Sequence, residues 1–472
     1  MPPSDATPGG PLLDVDPLAV ELGERFRDHG FRLYLVGGSV RDQLLQRTSD
    51  EPNLDFATDA RPDDTIRVLQ GWASHRYLQG IRFGTVGARK DGRLLEITTF
   101  RQEVYPEDER KPAVTFSSDL ETDLSRRDFT VNAMAVRLPD REFVDPFGGV
   151  RALSAKELDT PLDPHVSFSD DPLRMLRAAR FASQLQLVPT PHVVNAIREM
   201  APRLDIVSAE RVQAELSRLL VSPAPSLGLE LIVETGLAER FLPELPALRL
   251  EKDPVQHHKD VFRHTLAVVE GCDAGDLTLR LAALMHDVGK PETRRITEEG
   301  VTFHHHEVVG ARLTQERLRA LRYPSAVVDD VTKPVEMHLR FHSFKEGWTD
   351  AALRRYVRDA GPLLDRLNAL VRADCTTQNP KKAKYLAGLQ DAFEVRLAAL
   401  AEAENLRDLR PALDGNEIMR HLGIPPGPQV GKAWQFLLDQ RLERGPMDRD
   451  EALKLLDEWW AGQERGTGRT PA

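Results

Sequence analysis

The chain has 472 residues, of which 41% are hydrophobic and 29% charged, and carries a net charge of −11. Its length supports about two to four domains with proper cores, and the composition excludes a disordered or fibrous class. The acidic balance argues against indiscriminate nucleic-acid binding, yet clusters such as Arg126-Arg127 and Lys381-Lys382-Ala383-Lys384 could supply a local field for RNA. No apolar run reaches the length of a membrane span. Cys272 and Cys375, neither in a Cys-x-x-Cys pair, fit a reducing cytoplasm rather than a disulfide framework or a metal site. Residues 1–17 hold Pro, Gly and Asp without a basic-apolar signal pattern and read as a disordered tail.

Phe31 to Val36 is an apolar, partly β-branched or aromatic run, the pattern of a buried strand. Gly37-Gly38 breaks it, and glycine lets a backbone turn tightly and approach a ligand without a Cβ in the way. The N–H groups of such a turn can face phosphate oxygens, and Arg41 adds a fork of donors suited to phosphate. The next strand, around Asn53-Leu54-Asp55-Phe56-Ala57-Thr58, places positions 53 and 55 on one face, because strand side chains alternate. Carboxylates at that spacing could hold Mg²⁺ bridging a hydroxyl and a triphosphate. Taken singly these features are weak, since most Gly-Gly pairs are turns and an isolated acid is more often a solvent-facing edge. Leu94 to Arg101 predicts a further strand with one acid, Glu96, able to face the same position. Arg126 to Ala135 predicts cations and amide donors at the start of an apolar helix.

Gly37-Gly38 through Asp55, then Arg126 to Asn132, then Asp170-Asp171-Pro172-Leu173-Arg174-Met175-Leu176-Arg177 resemble, in order, the motifs of the class II tRNA nucleotidyltransferase and bacterial poly(A) polymerase family. With segments further on, the resemblance covers nearly the whole chain. It implies an α+β fold: a small polymerase-β-like nucleotidyltransferase head followed by a long all-α body. It also implies Mg²⁺ ligands at the matching positions 53 and 55, with a further acid at 96. By the same resemblance Gly37, Gly38, Arg41, Arg127, Asp128 and Asn132 serve nucleotide binding, with Gly38, Arg41 and Arg127 on the triphosphate.

Asp171, Arg174 and Arg177 are three residues apart, a spacing that shares one helix face. An isolated triplet of this kind reads as a solvated salt-bridge stripe. The alternative has a chemical logic. Cytosine and adenine both present an exocyclic amine beside a ring-nitrogen acceptor, which a carboxylate and a guanidinium can match. Uracil and guanine mispair with that set and leave buried polar groups unsatisfied. In the family the matching positions act as such a protein template, with Arg180 nearby.

Asn53 departs from the family pattern. An amide oxygen can ligate a hard cation but brings no charge, so Mg²⁺ should bind more weakly. Asp50 or Glu51 in the preceding loop are candidates to compensate, although Pro52 restricts the backbone there.

Further on, His264, the pair His286-Asp287 and Asp374 resemble the ligands of an HD-type phosphohydrolase domain. Adjacent helical side chains diverge by about 100°, so a metal would sit over the seam of His286 and Asp287 with other helices supplying ligands. His306 and His338 could complete a second position, while His304 and His305 read as surface residues. Mixed His/Asp ligation suits a divalent transition metal and phosphate-ester hydrolysis.

The resulting expectation is a tail at 1–17, a head at 18–150, a helical neck with nucleotide-template and RNA-binding residues at 151–250, an HD-type domain at 251–400, and a C-terminal tRNA-binding tail at 401–472. That tail carries Gly431 and Trp434 after a Pro-Gly-Pro segment. The leading function is template-independent addition of CCA to tRNA 3′ ends from CTP and ATP, with the body measuring the acceptor arm by shape and phosphate contacts. The rivals are a poly(A) polymerase or a CC-only or A-only enzyme, and an RNA-binding HD phosphohydrolase with an inactive head.

Overall fold

The structure is a computed structural model, describing residues 13–47, 53–104, 113–117, 119–249, 260–297, 300–375, 380–404, 406 and 409–467. The chain forms two compact units, Met1–Pro246 and Ala247–Ala472.

The first unit is built on seven strands: β1 (Leu33–Val36), β2 (Leu54–Thr58), β3 (His75–Tyr77), β4 (Thr85–Lys90), β5 (Arg93–Thr99), β6 (Ala135–Leu138) and β7 (Glu142–Val144). They lie in the order β3-β4-β5-β2-β1-β6-β7. All neighbours are antiparallel except β2 and β5, which run parallel. Strand alternation sends Leu33, Leu35, Leu54, Phe56, Leu95 and Ile97 into one core with Leu22 and Phe26 of the helix Pro17–Asp28. That helix starts cleanly because the Asp16 carboxylate accepts from the Leu18 N–H at 2.9 Å and Pro17 sits at its first turn. Tyr34, Val36 and Ala57 point the other way and pack with Phe100, Leu120 and Leu124. β1 is therefore buried on both faces, which is why it reads as a continuous apolar run.

One expectation is corrected here. Arg126 does not begin a helix. It caps the end of Leu120–Ser125, and the chain then makes a single 3₁₀ turn, Thr130–Asn132, before entering β6. The apolar run is too short to tell helix from strand by its period, and pairing with β1 decides the outcome.

A separate antiparallel pair, Arg101–Val104 with Ala113–Phe116, adds to the head, and the remainder of the unit is mainly helical, with Leu173–Leu185 packed against Ala209–Leu220 and Pro225–Glu234. A short parallel pair, Glu157–Leu158 with Val188–Pro189, interrupts it. In the second unit Val261–Gly271, Leu277–Met285, Ser325–Met337 and Leu364–Asp374 pack together. A hairpin, Arg295–Thr297 with Gly300–Thr302, breaks the otherwise helical body. The C-terminal helices Gly415–Leu422, Pro428–Arg444 and Arg449–Thr467 enclose a core of their own around Leu413, Ile418, Leu437 and Leu456. Glu404 ties this bundle down: it accepts two bonds from Arg354, at 2.7 and 2.6 Å, and one from Arg441 at 3.0 Å. Among the described residues no helix is long and apolar enough to cross a membrane.

Because Phe56 is fully buried between β2 and the first helix, Phe56→Ala should cost about 3–5 kcal/mol. Hydrogen exchange at β1 and β2 amides measures this; undiminished protection would contradict the packing described.

Candidate functional site

The parallel register of β2 with β5 makes Asp55 and Glu96 direct Cα partners. Both project to the face opposite the first helix. Burial raises the Asp55 carboxyl, Arg127 lowers it and Glu96 raises it further, leaving it pushed up to about 6. Two carboxyls in that relation, one of them desolvated, form a field suited to a divalent cation. Asn53 stands just before β2, and its backbone carbonyl accepts from the Ser39 hydroxyl at 3.1 Å. Gly38, Ser39, Asn53 and Asp55 line one cavity of about 430 Å³. Asp50 and Glu51 lie outside the described residues.

Gly37 sits at φ 71°, and a Cβ there would lie 2.9 Å from Nη1 of Arg127. The left-handed backbone is what calls for glycine here, and with no Cβ in the way the Arg127 guanidinium lies close over the turn. The helix Gly38–Leu44 carries Arg41, which is buried. Arg41 donates to both oxygens of Asp42, at 2.8 and 2.9 Å, and to Asn132 Oδ1 at 2.6 Å. Asn132 in turn donates to Asp128 at 2.9 Å, and Asp128 pairs with Arg177 at 2.7 Å. Burial raises the Asp128 carboxyl, but Arg177, Asn132 and Arg174 together hold it below the usual range. Arg126 and Arg127 both reach the buried Asp123, at 2.6 and 3.4 Å. The Arg126-Arg127 cluster is therefore partly balanced by one buried carboxylate, and Arg127 also lowers the Asp55 carboxyl.

The expectation that Asp171, Arg174 and Arg177 share a helix face is corrected. The helix begins at Leu173, and Asp171 precedes it in extended conformation. Pro172 and the Asp171 carboxylate, which accepts from the Leu173 N–H at 3.2 Å, set that start. Nor is there an intrahelical stripe. Asp171 pairs with Arg211 at 2.7 Å, Arg174 donates to the Ser167 hydroxyl at 2.8 Å and to the Arg126 carbonyl, and Arg177 goes to Asp128. Arg180 meets Glu215 at 2.5 Å and lies over the Phe181 ring at 4.0 Å. Arg211 and Glu215 were not legible as site residues. They are one turn apart on the Ala209–Leu220 helix, and only the fold reveals which charges they face.

In the second unit two groups of side chains could each hold a metal ion: His264, His286 and Asp374, and Asp287, His306 and His338. The seam over His286 and Asp287 is thus divided between two positions. His264 Nε2 lies 2.8 Å from Asp374. Asp287 aims one oxygen at His286 Nε2, at 3.2 Å, and the other at His306 Nε2, at 3.4 Å. Its carboxylate faces both groups and is placed to bridge them. Nδ1 of His286, His306 and His338 each meets a backbone carbonyl three residues back, at 2.8, 2.8 and 2.6 Å. Their Nε2 atoms are buried and have no hydrogen-bond partner among the described residues. Such bonds fix the tautomer and turn the other nitrogen inward, the orientation a metal-ligating imidazole takes. Burial lowers His286, but Asp287 and Asp374 outweigh it and hold the ring up at about 10; burial and His286 push His338 down to about 3. The donor set fits a pair of divalent transition ions. Lys290, at 2.6 Å from Asp287, was not singled out from sequence. His304 and His305 are exposed, as expected.

Three families match the chain: "Poly A polymerase head domain" over residues 33–159, "Probable RNA and SrmB- binding site of polymerase A" over 188–248, and "HD domain" over 261–379. A CCA-adding enzyme of Geobacillus sp. (strain WCH70) is 41% identical over 450 residues, covering 94% of this chain and 96% of that protein. The chain belongs to the tRNA nucleotidyltransferase and poly(A) polymerase family. It is an enzyme of the nucleotidyltransferase class that also carries an HD domain. An A-adding tRNA nucleotidyltransferase of Deinococcus radiodurans is 35% identical over 368 residues, covering 75% of this chain and 82% of that protein. The crystal structure of the Bacillus stearothermophilus CCA-adding enzyme in complex with CTP superposes with a TM-score of 0.69 at 26% identity, covering 96% of this chain and all of that one. The Thermotoga maritima CCA-adding enzyme complexed with tRNA shares the fold, with a TM-score of 0.59 at 17% identity, over 94% of this chain and 96% of that one. The mixed head and helical body expected from sequence are thus those of the family.

The divided seam predicts that protein loaded with Mn²⁺ or Zn²⁺ holds two ions in the HD unit. By metal analysis and anomalous scattering, His338→Ala should retain about one and Asp287→Ala fewer still, since losing even a group that only orients a ligand typically costs ~10–100-fold in affinity and losing a ligand itself costs more. Two ions retained by His338→Ala would contradict the assignment.

Proposed function

We propose that the protein adds CCA to tRNA 3′ ends from CTP and ATP, without a nucleic-acid template. The observation that carries this reading is the Asp55–Glu96 pair beside the cavity of Gly38 and Ser39, in a chain similar to a CCA-adding enzyme over nearly its full length. Asn53, Asp55 and Glu96 would hold Mg²⁺, which supplies neutralisation of the triphosphate and acidification of the acceptor hydroxyl.

The remaining steps belong to the chain's own residues. Gly37 and Gly38 let the triphosphate approach, and Arg127 lies over them to meet it. Arg41 acts from behind: its bonds to Asp42 and Asn132 stiffen the turn and link it through Asp128 to Arg177. Asp171 accepts from the exocyclic amine of cytosine or adenine, and Arg174 donates to the ring nitrogen. Arg177 and Arg180 brace that reader from the Asp128 and Glu215 sides. The acceptor 3′ hydroxyl attacks the α-phosphorus and pyrophosphate leaves, in line, with no protein base required. The domain limits set out from sequence, the acceptor-arm role of the body and tail, and a cytoplasmic location belong to the same proposal, with one correction: Val15 is buried in the first core and Asp16 and Pro17 start its helix, so 13–17 are no disordered tail.

The two His/Asp groups favour a second activity in the HD unit, hydrolysis of phosphate esters, with Asp287 held between both groups and Lys290 beside it. The A-adding relative makes an A-only enzyme the rival reading, while the CCA-adding relative that spans nearly the whole chain supports full CCA addition.

The test is incubation with tRNA lacking its 3′ end and labelled CTP or ATP, separately and together, followed by sequencing of the ends. CCA termination is expected; long A tails, or no incorporation, would overturn the reading. Restoring the acid should help: Asn53→Asp is expected to raise the single-turnover rate about tenfold at limiting Mg²⁺, equivalent to ~1.4 kcal/mol. Equal rates across a Mg²⁺ titration would contradict the role given to position 53.

A further inference from the structure

The carboxylate pair is the end of a longer row. Tyr77 of β3 is the Cα partner of Gly87 in β4, Gly87 is the partner of Glu96 in β5, and Glu96 is the partner of Asp55 in β2. Residues in lateral register project from the same face of a sheet. A single line therefore runs from an aromatic ring, across a residue without a side chain, to the two acids. Along it lies a cavity of about 390 Å³, distinct from the one beside Gly38, lined by Tyr77, Gln79, Gly80, Phe83, Glu96 and Arg101 among others. Tyr77, on the edge strand β3, is 38% exposed, so its ring is open to a ligand. A Cβ at position 87 would stand 3.1 Å from Tyr77 Cβ and 3.5 Å from its ring, so a larger residue would fill the row. Arg101, which donates to the Phe83 carbonyl, places a cation in the lining, and the exposed Arg82 lies over the Phe83 ring at 4.7 Å.

The two cavities flank the pair: Asp55 lines one and Glu96 the other. In an in-line displacement the entering oxygen and the leaving pyrophosphate occupy opposite sides of the phosphorus. With the triphosphate on the Gly38 side, the entering hydroxyl belongs on the Glu96 side. A ribonucleoside there would have its 3′ oxygen toward the acids, its base against the Tyr77 ring, and its phosphates toward the cations. Base–aromatic stacking tolerates any base, as an acceptor site must when its terminal nucleotide changes with each addition.

We propose that the Tyr77–Gly87–Glu96 groove seats the 3′-terminal nucleoside of the acceptor RNA. The proposal rests on the transfer reading and adds to it the place of the second substrate. It is tested with the full chain by two independent readouts. In the first, an RNA ending in 4-thiouridine is photocrosslinked without added nucleotide, and the attached peptide is mapped by mass spectrometry. This needs no turnover, so it separates the groove from the transfer reading. Crosslinks within residues 77–87, abolished by Gly87→Val, are expected; crosslinks mapping to the Gly38 side or to the second unit would overturn the proposal. In the second, Tyr77→Ala should raise KM for acceptor RNA about tenfold while KM for CTP stays put, and Tyr77→Phe, which keeps the ring, should restore it. An unchanged acceptor KM, or a rise in KM for CTP instead, would overturn the groove; circular dichroism of each variant guards against misfolding.

Discussion

The parallel pairing of β2 with β5 is the constraint from which the head follows. In a sheet whose other neighbours are antiparallel, it brings the start of β2 level with the middle of β5 and so sets Asp55 against Glu96. Burial lifts the Asp55 carboxyl and the neighbouring Glu96 charge lifts it further, so ionising Asp55 beside Glu96 is costly. Apolar packing on both faces of the central strands holds the pair against that repulsion. Arg127 offsets it electrostatically, and its guanidinium lies over the Gly37 turn, whose left-handed backbone calls for glycine. The turn, the arginine and the acids are one assembly.

A chain of charge extends from there. Arg41, Asn132, Asp128 and Arg177 form a continuous series of hydrogen bonds and ion pairs from the glycine turn to the helix that follows Asp171. Most of these side chains are buried, so breaking one link would leave an unpaired polar group at considerable cost. The turn that would hold the triphosphate and the residues that would read the base are therefore fixed relative to each other. Arg211 and Glu215, from one face of a neighbouring helix, complete the set by pairing Asp171 and Arg180.

Much of this was legible in the sequence. Strand and turn around Gly37-Gly38, the acid positions 55 and 96, and the His/Asp set of the HD domain all follow from local pattern and ordered motifs. The misses share a cause. Arg126 to Ala135 has an apolar run too short for its period to decide, and the pairing of β6 with β1 overrides the helical reading. Asp171 falls outside the helix because Pro172 starts it one residue later. Arg211, Glu215 and Lys290 sit on ordinary charged helix faces or turns, and their meaning depends on partners distant in the chain. The division of the six HD ligands into two groups, with Asp287 facing both, is likewise a fact of helix packing that spacing does not carry.

The account stands most directly on where CTP and its cation sit. A crystal of the protein grown with CTP and Mn²⁺ should show an anomalous peak between Asp55 and Glu96, the triphosphate against Gly38 and Arg127, and the cytosine amine facing Asp171. An ordered cytidine turned away from Asp171 and Arg174, or no Mn²⁺ at the acids at saturating concentration, would contradict it.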